Sequence, residues 1–174
     1  MELKWMEKHR SLVEKIIKYG NAYAFCYNKQ KSYGTNETFS ASQIQTLEYI
    51  LEAEDSDQTM SQMAIRLGVS KSTFSKNVKS LVEKGLLEKF YCNDNRKNIY
   101  VKPTQKGRET YNQYTQYVYE LVFKDMFDIA DEIPADSIEK FEQMLDLFSE
   151  RLIWFTKKLD DDGQENKKVF TKIE

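Results

Sequence analysis

Between Thr59 and Gly85 the sequence specifies two helices joined so tightly that few folds can hold them. Thr59-Met60-Ser61-Gln62 has the spacing of a capping box, in which a hydroxyl and an amide three residues on each satisfy a backbone N–H of the other. It predicts a short helix that stops at Leu67-Gly68. Two residues later Ser70 can cap the next helix, where Phe74, Val78, Leu81 and Val82 recur at the spacing of one helical face. Gly85 stops that helix. Helices joined across so short a turn cross steeply as a helix-turn-helix, and Ala64 is small where they approach.

Upstream, Ser11-Leu12-Val13-Glu14 also has capping-box spacing, although Leu3, Trp5 and Met6 equally suit a helix that begins earlier, and Leu12, Val13, Ile16, Ile17, Gly20 and Ala24 predict an amphipathic first helix to about Lys29. Lys31 to Ala41 reads as a loop, and Ile44, Leu47, Ile50 and Leu51 mark a second helix behind Ser42. Downstream, Leu86 to Tyr91 and Ile99 to Lys102 are rich in β-branched and aromatic residues and flank the polar run Cys92 to Asn98, which predicts a hairpin with a basic tip. Pro103 ends it, and Thr104 caps a long helix from about Gln105 to Ile129. Beyond Pro134 a last helix shows Ile138, Phe141, Leu145, Phe148, Leu152 and Phe155 at three-and-four spacing, until Asp160 to Gly163 break it. The expected fold class is mainly α with a small β-hairpin wing.

Charge narrows the function. The chain carries a formal net charge of -2, yet the segment 59–108 holds eleven basic and three acidic side chains, a net +8 that leaves -10 for the remainder. A basic block inside an acidic protein is the footprint of a face that binds a polyanion. The 40% hydrophobic and 13% aromatic content of 174 residues suits one folded domain. Cys26 and Cys92 are the only cysteines, too few for a disulfide framework or a C-x-x-C zinc pair, and the first ten residues lack the apolar run of a secretory signal. The expected location is the cytoplasm. His9 is the single histidine, so neither a Ser-His nucleophile nor a histidine-rich metal site can be assembled. Asp160-x-Asp162-Gly163 lacks carboxylates where a calcium loop begins and ends. No enzyme, cofactor or metal is expected.

The run Thr59 to Gly85, with Met63-Ala64, Gly68-Val69-Ser70-Lys71-Ser72-Thr73 and Leu81-Val82-Glu83-Lys84-Gly85-Leu86, resembles the helix-turn-helix of the multiple antibiotic resistance regulator (MarR) family. Asp94-Asn95-Arg96-Lys97 followed by Thr104-Gln105-Lys106-Gly107 is similar to that family's wing signature and the start of its fifth helix. Pro103 departs from the pattern, standing where the family more often has Leu. The resemblance implies a winged helix-turn-helix transcription regulator that binds double-stranded DNA as a homodimer. It implies one domain over residues 1–159, with a winged lobe at 42–108 and a helical dimerisation region at 1–30 and 104–159, and a charged tail at 160–174. The apolar load of the first, fifth and sixth predicted helices exceeds what one small winged lobe can cover.

With Phe74 and Val78 buried, Lys71, Ser72, Ser75, Lys76 and Lys79 fall on the outward face of the second helix of the motif, beside Ser70 and Thr73 at its start. Hydroxyls can bond base edges and Lys can reach guanine acceptors or phosphates. Asn95, Arg96 and Lys97 at the hairpin tip suit a narrow minor groove. Asp94 either orients Arg96, as the resemblance implies, or forms an Asx turn.

Tyr19, Tyr23, Tyr49, Tyr111 and Tyr114 are candidate ligands for a small aromatic or amphipathic effector between the dimer helices and the winged lobe, or else are core. Cys26, beside Tyr23, Phe25 and Tyr27, is either a redox-sensing thiol, as in organic hydroperoxide regulators of that family, or a small hydrophobe. A winged helix used only for protein interaction is the alternative of another class. It has no need of basic residues on both helix and wing.

Overall fold

A computed structural model describes residues 5–56, 58–92 and 95–165; for residues 91, 92, 95–98 and 159–165 it describes the backbone alone. A short 3-10 turn, Glu7–His9, leads into α1 (Arg10–Tyr27). Then follow α2 (Ala41–Glu52), α3 (Met60–Arg66), α4 (Lys71–Glu83), the strands β1 (Leu87–Cys92) and β2 (Asn95–Pro103), α5 (Gln105–Val118), a π-helical turn (Tyr119–Phe123), α6 (Lys124–Asp131) and α7 (Ala135–Glu165). The chain divides into two compact units, Met1–Leu121 and Val122–Glu174.

Local chemistry explains most boundaries. Thr59 caps α3 in a full capping box with Gln62, and Ser70 caps α4, its Oγ accepting the Thr73 N–H at 3.0 Å. Gly68 and Gly85, both at φ +71°, turn the chain out of α3 and α4 in the left-handed conformation that only glycine adopts without strain.

One expected start is settled and one expected cap is corrected. Of the two starts the sequence allows for α1, the structure takes the earlier: Glu7–His9 already coil, and His9 supplies no side-chain cap. Helix α2 is capped by Ser40 rather than Ser42: the Gln43 N–H donates to Ser40 Oγ at 3.3 Å, and Gln43 Oε1 accepts the Ser40 N–H at 3.0 Å. Ser42 is left inside the helix, buried, with a different partner.

The core of the first unit gathers Ile44, Leu47 and Ile50 of α2, Met63 and Ala64 of α3, Phe74, Val78 and Leu81 of α4, and Leu86, Leu87 and Val101 around the hairpin. Each fully buried Phe, Leu, Ile or Val contributes roughly 1.5–3 kcal/mol. Phe39 is also fully buried, although the sequence places it in a loop. That loop is closed by paired backbone bonds between Lys31 and Phe39 at 3.0 and 3.1 Å, and Tyr33 stacks on Phe39 with ring centroids 5.8 Å apart.

The strands pair antiparallel with Leu87 opposite Pro103 and Phe90 opposite Tyr100. Strand β2 starts at Asn95, opposite Cys92, so the hairpin turn is shorter than the expected loop of residues 92–98. The predicted long helix to Ile129 is interrupted by the π turn, where the wider i→i+5 winding absorbs an extra residue. At the other end α7 runs through Asp160 to Gly163, which shortens the expected tail. One glycine costs about 1 kcal/mol against alanine, too little to stop a helix already propagated for seven turns.

Apolar side chains stay uncovered in both units. No residue of α1 is buried, and Ile17 and Phe25 are 51% and 69% exposed. In α7 Phe141, Phe148, Leu152 and Phe155 follow the three-and-four spacing of a single seam, and all four are exposed. Among the described residues no helix is long and apolar enough to cross a membrane.

Candidate nucleic-acid interface

Helix α4 has two faces of opposite chemistry. Phe74, Asn77, Val78 and Leu81 point inward and are buried, which turns Ser72, Ser75, Lys76 and Lys79 outward as one stripe at i, i+3, i+4 and i+7. Lys71, at the helix start, is exposed as well. Lys79 Nζ stands 3.9 Å from Glu83, an exposed pair one turn apart that leaves the ammonium open to solvent. Ser70 and Thr73 differ from the rest: their hydroxyls lie 2.9 Å apart within the cap, and Thr73 is half-buried.

Of the basic side chains that the sequence groups here, three among the described residues are occupied by acidic partners from outside the segment. Arg66 pairs with Glu52 at 2.6 Å and lies over the Tyr49 ring, 4.5 Å from its centroid. Lys106 bonds Glu37 at 2.5 Å and the Lys84 carbonyl at 2.8 Å. Arg108 pairs with Glu54, and the guanidinium holds that carboxyl below the usual carboxylate range. The local excess of +8 is therefore partly cancelled by acidic residues from outside the segment. What remains outward is the α4 stripe, with Lys89 and Lys102 exposed on the hairpin.

Asp94, with Asn93, lies outside the described residues, as do the side chains of Asn95, Arg96 and Lys97. The backbone of Asn95, Arg96 and Lys97 forms the first part of β2.

The candidate effector tyrosines separate into groups. Tyr111 and Tyr114 of α5 have ring centroids 6.1 Å apart, and Tyr114 stands edge-on to Tyr33 and Phe39 at 5.8 and 6.0 Å. Burial, then the Glu48 carboxylate, pushes the Tyr114 phenol up to about 12 and that of Tyr111 further still, so both stay neutral and able to donate. Tyr23 of α1 donates to Gln45 Oε1 at 2.8 Å, which ties α1 to α2, and its ring stacks on exposed Tyr19 at 6.1 Å. Tyr49 is engaged by Arg66. Tyr33 and Phe39 complete this layer and were not singled out from sequence, because a loop without periodicity gives no sign of burial. Cys26 is a free, exposed thiol on α1.

Asn77, which the sequence also gave no cause to single out, is 9% exposed and donates from Nδ2 to Ser42 Oγ at 2.8 Å, Thr46 Oγ1 at 3.0 Å and the Ser42 carbonyl at 3.2 Å. Its only sequence signal is an amide at a position the helical period turns inward.

Residues 38–90, from the loop before α2 into β1, match the sequence profile of the MarR family. A search of curated proteins finds no match. Among solved structures the chain is similar to a mutant MarR from E. coli complexed with operator DNA, at TM-score 0.57 and 19% identity over 85% of this chain and 99% of that one. It is similar to the transcriptional regulator BldR from Sulfolobus solfataricus, at TM-score 0.57 and 19% identity over 83% and 99%. It is also similar to the PcaV transcriptional regulator from Streptomyces coelicolor in complex with its natural ligand, at TM-score 0.54 and 13% identity over 83% and 94%. At such identities the likeness is one of fold.

Proposed function

From the match of residues 38–90 to the MarR family profile and the shared fold, we propose that this chain is a winged helix-turn-helix transcription regulator of that family, a cytoplasmic homodimeric repressor that binds a pseudo-palindromic operator and is released by a small-molecule effector. The observation that carries the reading is the outward stripe of α4, Ser72, Ser75, Lys76 and Lys79, on a helix whose opposite face is locked into the core. Such a stripe can enter a major groove, its hydroxyls reaching base edges and its ammoniums reaching guanine or phosphate. The wing residues Asn95, Arg96 and Lys97 then reach the adjacent minor groove, with Asp94 orienting Arg96. Two such helices, related by a two-fold axis, read half-sites about 34–36 Å apart. The uncovered apolar face of α1 in the first unit and that of α7 in the second each offer surface for a second copy of the chain.

Binding of the full-length protein to a duplex it selects from a random-sequence pool is expected to weaken steeply with salt. The logarithm of the association constant should fall linearly with the logarithm of salt concentration, by about 0.9 per neutralised phosphate. A mobility-shift titration reads the slope. An affinity that stays constant between low and moderate salt removes the DNA reading in favour of a protein-interaction module.

The effector we assign to the tyrosine layer is a small aromatic or amphipathic molecule, since Tyr111, Tyr114 and Tyr23 offer flat apolar faces beside polar tips and the Glu48 carboxylate. It releases DNA only if it binds better to an arrangement with a different separation of the two recognition helices. The exposure of Cys26 favours a second reading, a thiol oxidised in place of ligand binding. Release from the selected duplex is expected with phenolic compounds and to persist in Cys26→Ser. Release by peroxide alone, abolished in Cys26→Ser, replaces the ligand by the redox trigger.

A further inference from the structure

Helix α4 is fastened to α2 by directional polar bonds in the middle of an otherwise apolar contact. Asn77 lies between Phe74, Val78 and Leu81, all buried, and an apolar side chain there would pack without needing partners. Instead its amide nitrogen, with two protons, serves three acceptors on a single turn of α2: both oxygens of Ser42 and the hydroxyl of Thr46. The Thr46 hydroxyl proton is itself used, donated to the Ser42 carbonyl at 2.8 Å. One turn further along α4, Gln43 Nε2 donates to Ser80 Oγ at 2.9 Å, from the same glutamine that closes the α2 capping box. Among the described residues no buried side-chain polar atom is left without a partner.

Apolar packing and hydrogen bonds constrain a helix differently. Apolar faces hold two helices together but tolerate a small rotation of either about its own axis, whereas bonds of 2.8–3.2 Å that tie Asn77 and Ser80, one turn apart on the same side of α4, to Ser42 and Gln43 of α2 do not. A rotation of about 10° carries a side-chain tip at about 5–6 Å from the axis through about 1 Å. Base-edge bonds cannot absorb that displacement, while flexible lysines on phosphates can. We infer that Asn77 is a positioning residue for sequence reading: bonded to Ser42 and Thr46, it sets the rotation of α4 that presents Ser72, Ser75, Lys76 and Lys79 to base edges, without touching DNA itself. The inference rests on the DNA-binding reading above.

Two full-length variants test it, Asn77→Leu and the triple Ser42→Ala/Thr46→Val/Asn77→Leu. The probes are the duplex that the wild type selects most strongly from a random-sequence pool and an unselected duplex of equal length. Asn77→Leu leaves acceptors buried without a donor, so its melting temperature is expected to fall. Its affinity for the unselected duplex, carried by phosphate contacts, should stay within about twofold of wild type, while the preference for the selected duplex drops roughly ten- to a hundredfold. The triple variant removes the donor together with both hydroxyl acceptors and leaves the carbonyl of residue 42 its helical N–H partner, so its melting temperature should return toward wild type, with the preference still lost. A purely structural role restores stability and preference together in the triple variant, and that result overturns the inference, as does an Asn77→Leu protein that keeps full preference. If Asn77→Leu does not fold, the triple variant alone decides. A wild type that selects no sequence at all overturns the DNA reading first and is distinguished by needing no variant.

Discussion

Replacing Gly107 by alanine is expected to destabilise the protein by about 3 kcal/mol or more and to abolish DNA binding with it, although the same change in an ordinary exposed helix stabilises by about 1 kcal/mol. Gly107 sits in the first turn of α5, where an added Cβ would overlap the backbone oxygen of Leu86 and lie 3.1 Å from its carbonyl carbon. No rotamer relieves that contact, because the α5 backbone fixes the Cβ and the atoms it meets are backbone. The obstruction falls where α4 passes into β1. Thr104 holds this junction through its N–H to the Leu86 oxygen at 3.0 Å and its hydroxyl to the Gly85 carbonyl at 2.7 Å, and Lys106 bonds the Lys84 carbonyl. Pushing α5 away from Leu86 therefore loosens the end of α4 and the root of the hairpin together. Denaturant unfolding measures the loss against Gly68→Ala, where the Cβ meets nothing within 4 Å and only the φ of +71° costs about 1 kcal/mol. A Gly107→Ala protein as stable as the wild type would show that α5 does not pin the junction.

Deleting residues 134–174 is expected to abolish dimerisation and to lower affinity for the selected duplex by roughly a thousandfold or more, down to the level of unselected DNA. The deletion removes α7 and its seam of Phe141, Phe148, Leu152 and Phe155, yet every residue of the hydrophobic core cluster lies between Phe39 and Val101. The winged lobe should thus keep its helical circular dichroism and its salt-dependent binding to any duplex, while binding to two half-sites at once disappears. Sedimentation equilibrium and a titration on the selected duplex read both effects. A full-length protein that sediments as a monomer at micromolar concentration while protecting a two-fold symmetric site would refute the dimer, and so would a deletion variant that still dimerises.

How much of this was legible in the chain depended on the range of the interaction responsible. The α3–α4 pair stood in the sequence almost residue for residue, because capping boxes, a glycine in the left-handed conformation and an apolar stripe all act within a few positions of one another. The outward stripe of α4 followed from helical period alone. The α2 cap did not, since Ser40 and Ser42 both precede a glutamine by three residues, and only the packing of Ser42 against Asn77 separates them. The interruption of the fifth helix at Tyr119–Phe123 left no local mark either.

The sequence by itself determined the helix-turn-helix, the hairpin after it, the apolar faces of the first and last helices and the concentration of basic residues between Thr59 and Arg108. Tertiary structure alone decided which of those basic residues remain available, by bringing Glu52, Glu54 and Glu37 onto Arg66, Arg108 and Lys106. It alone decided that Phe39 is core and that Asn77 is a buried donor. The reason is common to all of them: a cap or a helical period is written in neighbouring residues, whereas an ion pair or a buried amide depends on a partner from 14 to 69 positions away, whose approach is set by the whole fold.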